Sequence, residues 1–268
     1  MFKDILIGQY FAAPSPIHRL DPRTKIVLTF VYVVILFFIV EFEGFIVAGG
    51  FTAGVVALSQ VPLGLVLRSL RPVLFLIALT VTIHALVTGG PDAEVVWQWG
   101  RLSITDEGLR TGAFMGIRLG LLIMTSSLLT LTTSPIQLTD GLERLMKPTA
   151  RVGVPAHELA MMMTIALRFI PTLLEEADKI MKAQMARGAE FASGGLMQRV
   201  RALIPILVPL FVSAFRRADE LALAMEARCY RGGEGRTRYK VLYLTGRDVS
   251  AALVTLVFVL VVLWMRFG

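Results

Sequence analysis

Residues Val249–Phe267 read VSAALVTLVFVLVVLWMRF, an apolar run whose one charge, Arg266, stands next to its end. A helix rises about 1.5 Å per residue, so roughly 20 such residues cross a hydrocarbon core about 30 Å thick. Working back from this run, four more appear at Ile26–Val40, Gly44–Ser59, Pro72–Val87 and Leu109–Leu131. The first two are separated only by Glu41-Phe42-Glu43 and read as two spans in a tight hairpin, with a shallower re-entrant pair as the alternative. The composition agrees: 55% of the 268 residues are hydrophobic and 18% charged, a balance foreign to soluble chains of this size. The fold class expected is an all-α membrane protein with about five transmembrane helices.

The basic residues report topology. Lys3, Arg19, Arg23 and Lys25 precede the first run, whereas Glu41 and Glu43 follow it, which places the N-terminus in the cytoplasm. Arg68 and Arg71 lie between the second and third runs. The next connection carries Asp92, Glu94, Asp106 and Glu107 against Arg101 and Arg110, with Trp97 and Trp99 suited to an outer interface. Residues 134–247 are dense in Lys and Arg, ending with Arg236, Arg238, Lys240 and Arg247, and should be cytoplasmic, leaving the C-terminus external. The expected organisation is a membrane domain over 1–133, a cytoplasmic domain over 134–247 and a last span over 248–268. The N-terminus has no h-region or cleavage site of a signal peptide, and the single cysteine, Cys229, makes neither an internal disulfide nor a thiol metal site.

A connection of this length needs structure of its own. Ser134 is a candidate N-cap for a short helix, Pro135 fits its first turn, and Pro148 ends it. Pro155 opens a long helix in which Leu159, Met162, Ala166, Phe169, Leu173, Ala177, Ile180 and Met181 recur at helical spacing, with a bend expected at Pro171. After a break at Ser193-Gly194-Gly195, a second long helix runs from Leu196 to Cys229, with Pro205 and Pro209 early and Gly232-Gly233 beyond its end.

The two long helices echo each other. Ala177-Asp178 and Ala186-Arg187-Gly188 are followed, 41 residues later, by Ala218-Asp219 and Ala227-Arg228-Cys229. In each copy the carboxylate precedes the arginine by about two and a half turns, so the two do not form an i,i+4 pair. Each arginine falls at a helix C-terminus, favoured there by the macrodipole and able to project from the tip. Capping of carbonyls is the plainer explanation for one such arginine; the repetition points instead to two similar plugs for two similar carboxylate-bearing sockets. Met161, Met162, Met163, Met181, Met185 and Met197 form either an adaptable surface or packing between the helices.

At these residues the chain resembles the transmembrane T component of energy-coupling factor (ECF) transporters, the prokaryotic importers of vitamins and metal ions, over nearly its whole length. Ala186-Arg187-Gly188 is similar to the family's Ala-Arg-Gly signature, and Ala227-Arg228-Cys229 to its second copy with Cys for Gly. His18-Arg19-Leu20-Asp21-Pro22-Arg23-Thr24-Lys25 resembles the family's N-terminal segment, and Leu167-Arg168-Phe169-Ile170-Pro171 the start of its first coupling helix. The resemblance implies a coupling domain of one short and two long crossed helices. It also implies that Arg187 and Arg228 each dock into one of two ATP-binding cassette subunits, the same or different. A small substrate-binding membrane S component is implied against the long helices, with Asp178, Asp219 and Pro171 as supporting residues. The chain would hold no cofactor itself, ATP and Mg being bound by its partners, and would be a non-catalytic subunit in a prokaryotic cell membrane.

Competing classes find less support. An intramembrane enzyme needs a nucleophile and base or a metal cluster; of His18, His84 and His157 only His84 lies in a span, where a hydrogen-bonded interior role is expected. Gly232-Gly233-Glu234-Gly235-Arg236-Thr237 lacks the Lys-Ser/Thr ending of a P-loop. A self-contained secondary carrier or channel, the main alternative, would want charge within a span; Arg118 is the candidate, expected to snorkel or to pair in the interior. Nucleic acid binding has no aromatic platform to support it.

Overall fold

A computed structural model describes residues 10–88, 95–99, 102–189, 195–232 and 242–267. Lys3, Asp92, Glu94, Arg101, Ser193-Gly194, Gly233 to Thr237, Arg238, Lys240 and the side chains of Trp97 and Trp99 lie outside the described residues.

The described chain is almost wholly helical: α1 (Pro22–Leu36), α2 (Phe42–Ser59), α3 (Leu63–Arg68), α4 (Leu74–Val87), α5 (Asp106–Thr132), α6 (Pro135–Met146), α7 (Ala156–Ala186), α8 (Leu196–Ala227) and α9 (Gly246–Phe267). A short antiparallel ribbon of β1 (Val95–Trp99) and β2 (Leu102–Thr105), not foreseen from the sequence, joins α4 to α5. Contacts divide the chain into two compact units, the described residues of 142–240 and those of 8–141 with 241–268.

Five segments are long and apolar enough to cross a membrane: α2, α3 through α4, α5, α7 and α9. The set differs from the runs read in the sequence at three places. The first run makes α1, whose 15 residues reach only about 22 Å, short of a hydrocarbon core. By length and apolarity α7 qualifies as well. The third run is extended backwards because α3 leads into α4 through a 3-10 turn at Arg71–Val73, where Pro72 interrupts the α-helical ladder.

In the larger unit, α1, α2, α5 and α9 enclose a core of Tyr32, Ile35, Leu36, Phe45, Leu121, Phe258 and Val262. The Tyr32, Phe51 and Phe258 rings stack at centroid distances of 5.5 Å (Tyr32–Phe258) and 4.5 Å (Phe51–Phe258). The Tyr32 and Thr52 hydroxyls lie 2.5 Å apart within reach of the Ala48 carbonyl, so the polar groups in this core have partners. A second cluster of Val56, Val61, Val66, Leu128 and Leu131 ties α2 and α3 to α5.

Glycine at every fourth position of α5 lets it meet α4 closely. A β-carbon at Gly112 would lie 2.9 Å from the Val81 carbonyl oxygen, one at Gly116 2.9 Å from Val81 Cγ2, and one at Gly108 2.8 Å from the His84 carbonyl oxygen. This small-xxx-small contact is the packing by which helices associate in lipid, where no hydrophobic force separates protein from solvent. His84 is fixed on the same helix, its Nδ1 at 2.9 Å from the Thr80 carbonyl.

At one end of this unit, three helix termini are laced by polar groups. Asp21 caps α1, accepting from Arg23 N at 2.9 Å and pairing with the Arg23 guanidinium at 2.9 Å. Asp248, in the first turn of α9, accepts from the N–H of Thr245 at 2.8 Å and from that of Asp21 at 2.8 Å, joining the starts of α9 and α1. The orphan carbonyls at the end of α5 are met from the segment preceding and opening α1: Phe11 N–H donates to Leu131 at 2.9 Å and Lys25 Nζ to Thr132 at 2.8 Å. This is the physical work of the His18-to-Lys25 motif. At the opposite end, Arg118 donates to the Ile39 carbonyl at 2.6 Å between the faces of Phe37 and Phe45, and Arg266 donates to the Phe38 carbonyl at 3.0 Å. The intramembrane arginine thus pairs inside the protein, holding the α1–α2 turn.

Candidate functional site

The smaller unit is built on α7 and α8. Helix α6 precedes them in the chain and starts with a capping box: Gln137 N–H donates to Ser134 Oγ at 3.4 Å and Ser134 N–H to Gln137 Oε1 at 3.3 Å. Lys147–Val152 then tightens into a 3-10 turn at Pro148, and His157 Nδ1 meets Glu143 Oε1 at 2.9 Å across the turn between α6 and α7. Helix α7 runs unbroken through Pro171, and α8 through Pro205 and Pro209.

The two helices finish in the same way. At the end of α7, Gly188 N–H donates to the Met185 carbonyl at 3.0 Å and Ala189 N–H to Gln184 at 3.0 Å. At the end of α8, Cys229 N–H donates to Glu226 at 2.8 Å and Tyr230 N–H to Met225 at 3.0 Å. Both are Schellman motifs, with Arg187 and Arg228 as the C-cap residues and the next residue turned left-handed, Gly188 at φ +87° and Cys229 at φ +55°. The backbone satisfies the terminal carbonyls itself, so neither arginine is needed for capping. Arg187 and Arg228 are exposed and, among the described residues, stand in no ion pair. Each tip thus presents a guanidinium whose donors are free beside a residue with little or no side chain, suited to bidentate binding of a carboxylate. Cys229 takes the glycine's backbone geometry at the second tip.

The helices also pair at equivalent positions. Arg217 donates to Glu176 at 3.0 Å, and these residues stand at the same offset of 41 as the two arginines. The contact therefore joins positions at which the two copies superpose, a pair missed in the sequence although the offset itself would have found it. Asp178 is half-buried and bonded to Lys182 at 2.5 Å, whereas its counterpart Asp219 is exposed; Pro171 is exposed as well. The two carboxylates share a register position but not an environment, because Leu223 stands where Lys182 does in the first copy.

The apolar faces of α7 and α8 are only partly used. Phe169, Leu173, Ala177, Ile180 and Met181 are half-buried, but Leu159, Met162 and Ala166 are exposed. Met162, Met163, Met185 and Met197 are exposed, so most of the methionine set is surface rather than filling. On α8, Val208, Phe211, Val212 and Phe215 are each more than half exposed, at 57%, 61%, 64% and 68%. A contiguous apolar face of that kind marks an interaction surface for protein or lipid.

The cobalt transport protein family, CbiQ, matches residues 13–239, which covers both tips and the Arg217–Glu176 pair. Among relatives named energy-coupling factor transporter transmembrane protein EcfT, that of Thermosediminibacter oceani is 58% identical over 94% of this chain and 94% of its own length. The one from Clostridium kluyveri is 54% identical over 99% of this chain and 98% of its own. The Bacillus subtilis relative is 47% identical over 99% of this chain and 100% of its own. With the family pattern spanning most of its length and relatives matching it from end to end, the chain belongs to the CbiQ family, as a transmembrane component of the energy-coupling factor transporter type.

Proposed function

We propose that this chain couples ATP hydrolysis by two ATP-binding cassette subunits, the same or different, to movement of a small substrate-binding S component during uptake of a vitamin or micronutrient. The observation that carries the reading is the repetition of one exposed, Schellman-capped arginine at two helix ends. Ala186-Arg187-Gly188 and Ala227-Arg228-Cys229 are the ATPase-docking residues, each guanidinium entering a carboxylate-bearing groove where desolvation strengthens the pair. ATP and Mg are bound by those partners; this chain has no cofactor and no catalytic residue of its own. The exposed apolar faces of α7 and α8 receive the S component, with Asp178, Asp219 and Pro171 supporting the helices. Residues 134–247 and the N-terminus lie on the cytoplasmic side of a prokaryotic cell membrane and the C-terminus on the outer side.

Coupling requires that the S component bind two arrangements of the α7–α8 pair with different free energies. The Arg217–Glu176 contact at the crossing is a natural pivot, since a single, partly exposed pair resists rearrangement weakly. A mild-detergent pull-down of the tagged chain, wild type against the Arg187→Glu/Arg228→Glu double variant, tests the reading. Two cassette ATPases and a small hydrophobic protein are expected with wild type, and loss of the ATPases from the variant, where each socket would face a like charge. Retention of both ATPases at wild-type stoichiometry by the double variant refutes it.

A further inference from the structure

The larger unit contains a cavity of about 340 Å³ between α1, α2, α5 and α9, at the low end of the range for ligand pockets. Its extent is the same on three helices that line it: Lys25 to Tyr32 on α1, Thr125 to Thr132 on α5 and Arg247 to Thr255 on α9 each cover about 10 to 12 Å of axis. One end is polar and positive; the other is closed by the stacked Tyr32 and Phe51 rings. Between them the lining is largely apolar.

The cations at the mouth differ in how far the protein uses them. Lys25 is 6% exposed, and its ammonium is held by the carbonyls of His18 and Thr132 with no carboxylate in a salt bridge among the described residues. Arg247 is exposed and likewise outside any ion pair among them. Asp21, paired with Arg23, and Asp248, held by the N–H groups of Asp21 and Thr245, also act on Lys25 through their charge, so two carboxylates stand against Arg23, Lys25 and Arg247 and leave one positive charge in excess. A slot that is largely apolar along its depth and has an excess of positive charge at its mouth has the polarity of one lipid molecule entering headgroup last.

We propose that this cavity is a binding site for one anionic phospholipid from the leaflet at the α1 N-terminal side, an acyl chain filling the slot down to Tyr32 and the phosphate resting against Arg247. An acyl chain fits better than a soluble anion because the greater part of the lining offers no hydrogen bond, and an anionic headgroup fits better than a zwitterionic one because Arg247 is exposed and outside any ion pair among the described residues.

The test uses the purified full-length chain in detergent, titrated with phosphatidylglycerol or with phosphatidylcholine of the same acyl chains, and bound lipid counted by native mass spectrometry. One saturable phosphatidylglycerol is expected, with phosphatidylcholine weaker. Arg247→Gln should weaken phosphatidylglycerol about fivefold and leave phosphatidylcholine unchanged, and Ala251→Phe, which plugs the slot, should remove the saturable site while circular dichroism remains helical. Equal binding of the two lipids, or unchanged phosphatidylglycerol binding in Arg247→Gln, shows annular lipid only and overturns the proposal, whether or not Ala251→Phe folds. Competition by glycerol 3-phosphate at the concentration of the lipid also overturns it, because the site would then be an anion site without an acyl slot.

Discussion

Exchanging the residues after the two arginines tests whether the helix tips are the equivalent devices their hydrogen bonds make them. Cys229 holds a left-handed conformation at φ +55° where the first tip has Gly188 at φ +87°. A residue with a β-carbon gives up about 1–2 kcal/mol in that region. Glycine avoids this but loses more backbone freedom on ordering, worth about 0.5–1 kcal/mol. The net gain for Cys229→Gly is therefore about 0.5–1 kcal/mol, and for Gly188→Ala a loss of similar size. The group that reports it is the Tyr230 amide, which donates to Met225 only while the motif is closed, as Ala189 does to Gln184. Hydrogen exchange of Tyr230 should slow about twofold to fivefold in Cys229→Gly, and Ala189 should quicken by as much in Gly188→Ala. Cys229→Ala keeps a β-carbon while removing the thiol, and should exchange like wild type. If Cys229→Ala protects Tyr230 as well as Cys229→Gly does, the thiol and not the backbone controls the second tip, and the reasoning fails.

Gly112→Val should drive α4 from α5 through the clash with the Val81 carbonyl, lowering stability by about 1–3 kcal/mol, with exchange along α4 rising before that of α9; unchanged thermal stability would count against the glycine packing. Arg217→Glu should cost no more than about 1 kcal/mol, because the pair is partly exposed, and adding Glu176→Arg should restore it, measured by a double-mutant cycle on thermal stability. Ser134→Ala should lower stability by about 1 kcal/mol through loss of the capping box, seen as faster exchange at the start of α6. Burial pushes the His18 imidazole below its usual 6.5, with Lys25 adding to the effect against the Phe11 carbonyl that favours the charge. The unfolded chain then binds the proton first, so stability is full above pH 6.5 and falls as pH drops from there through the folded value. The midpoint should fall less between pH 7.5 and 5.5 in His18→Asn than in wild type.

Much of this architecture is legible because membrane helices carry their own solvent requirement in the sequence. Runs such as Val249–Phe267 declare themselves, and Ser134-Pro135 and Pro155 mark helix starts with residues that suit no other local role. The internal echo is legible for a different reason: two copies of one motif at a fixed offset are improbable without a shared structural job. What escapes the sequence depends on distance in space. The first run, Ile26–Val40, is as short as its helix, but Asp21 begins that helix and the turn after Leu36 ends it, so α1 takes in Pro22 to Lys25 and leaves out the apolar residues 37–40. The close approach of α4 and α5 is written in Gly108, Gly112 and Gly116, yet only the position of Val81 gives those glycines a partner. Asp248 looks like an ordinary first-turn acid of the last helix until the N–H of Asp21, from the other end of the chain, is found on it at 2.8 Å.

The two units meet their solvent in opposite ways, and that contrast supports the proposed division of labour. The larger unit pairs Tyr32, Thr52, Lys25 and Asp248 internally and turns outward the apolar surface of α4, where Phe75 is 78% exposed, as a lipid-facing helix must. The smaller unit mixes the two signals on the same helices: α8 carries Arg216, Asp219 and Glu220 exposed close to Phe211, Val212 and Phe215. Neither bulk water nor hydrocarbon accommodates both sets, since one leaves apolar area wet and the other leaves charge dry. A protein surface patterned to match satisfies both at once. The requirement falls on α7 and α8, the helices that end in Arg187 and Arg228, so on the proposed reading a partner seated on their apolar faces alters the setting of the helices whose tips dock the ATPases. Severing that link without removing either contact, for instance by a flexible glycine pair within α7 near Lys179, should leave ATPase association intact and uncouple transport. If transport survives such a break with ATPases bound, rigid helices are not the route by which the two sites communicate.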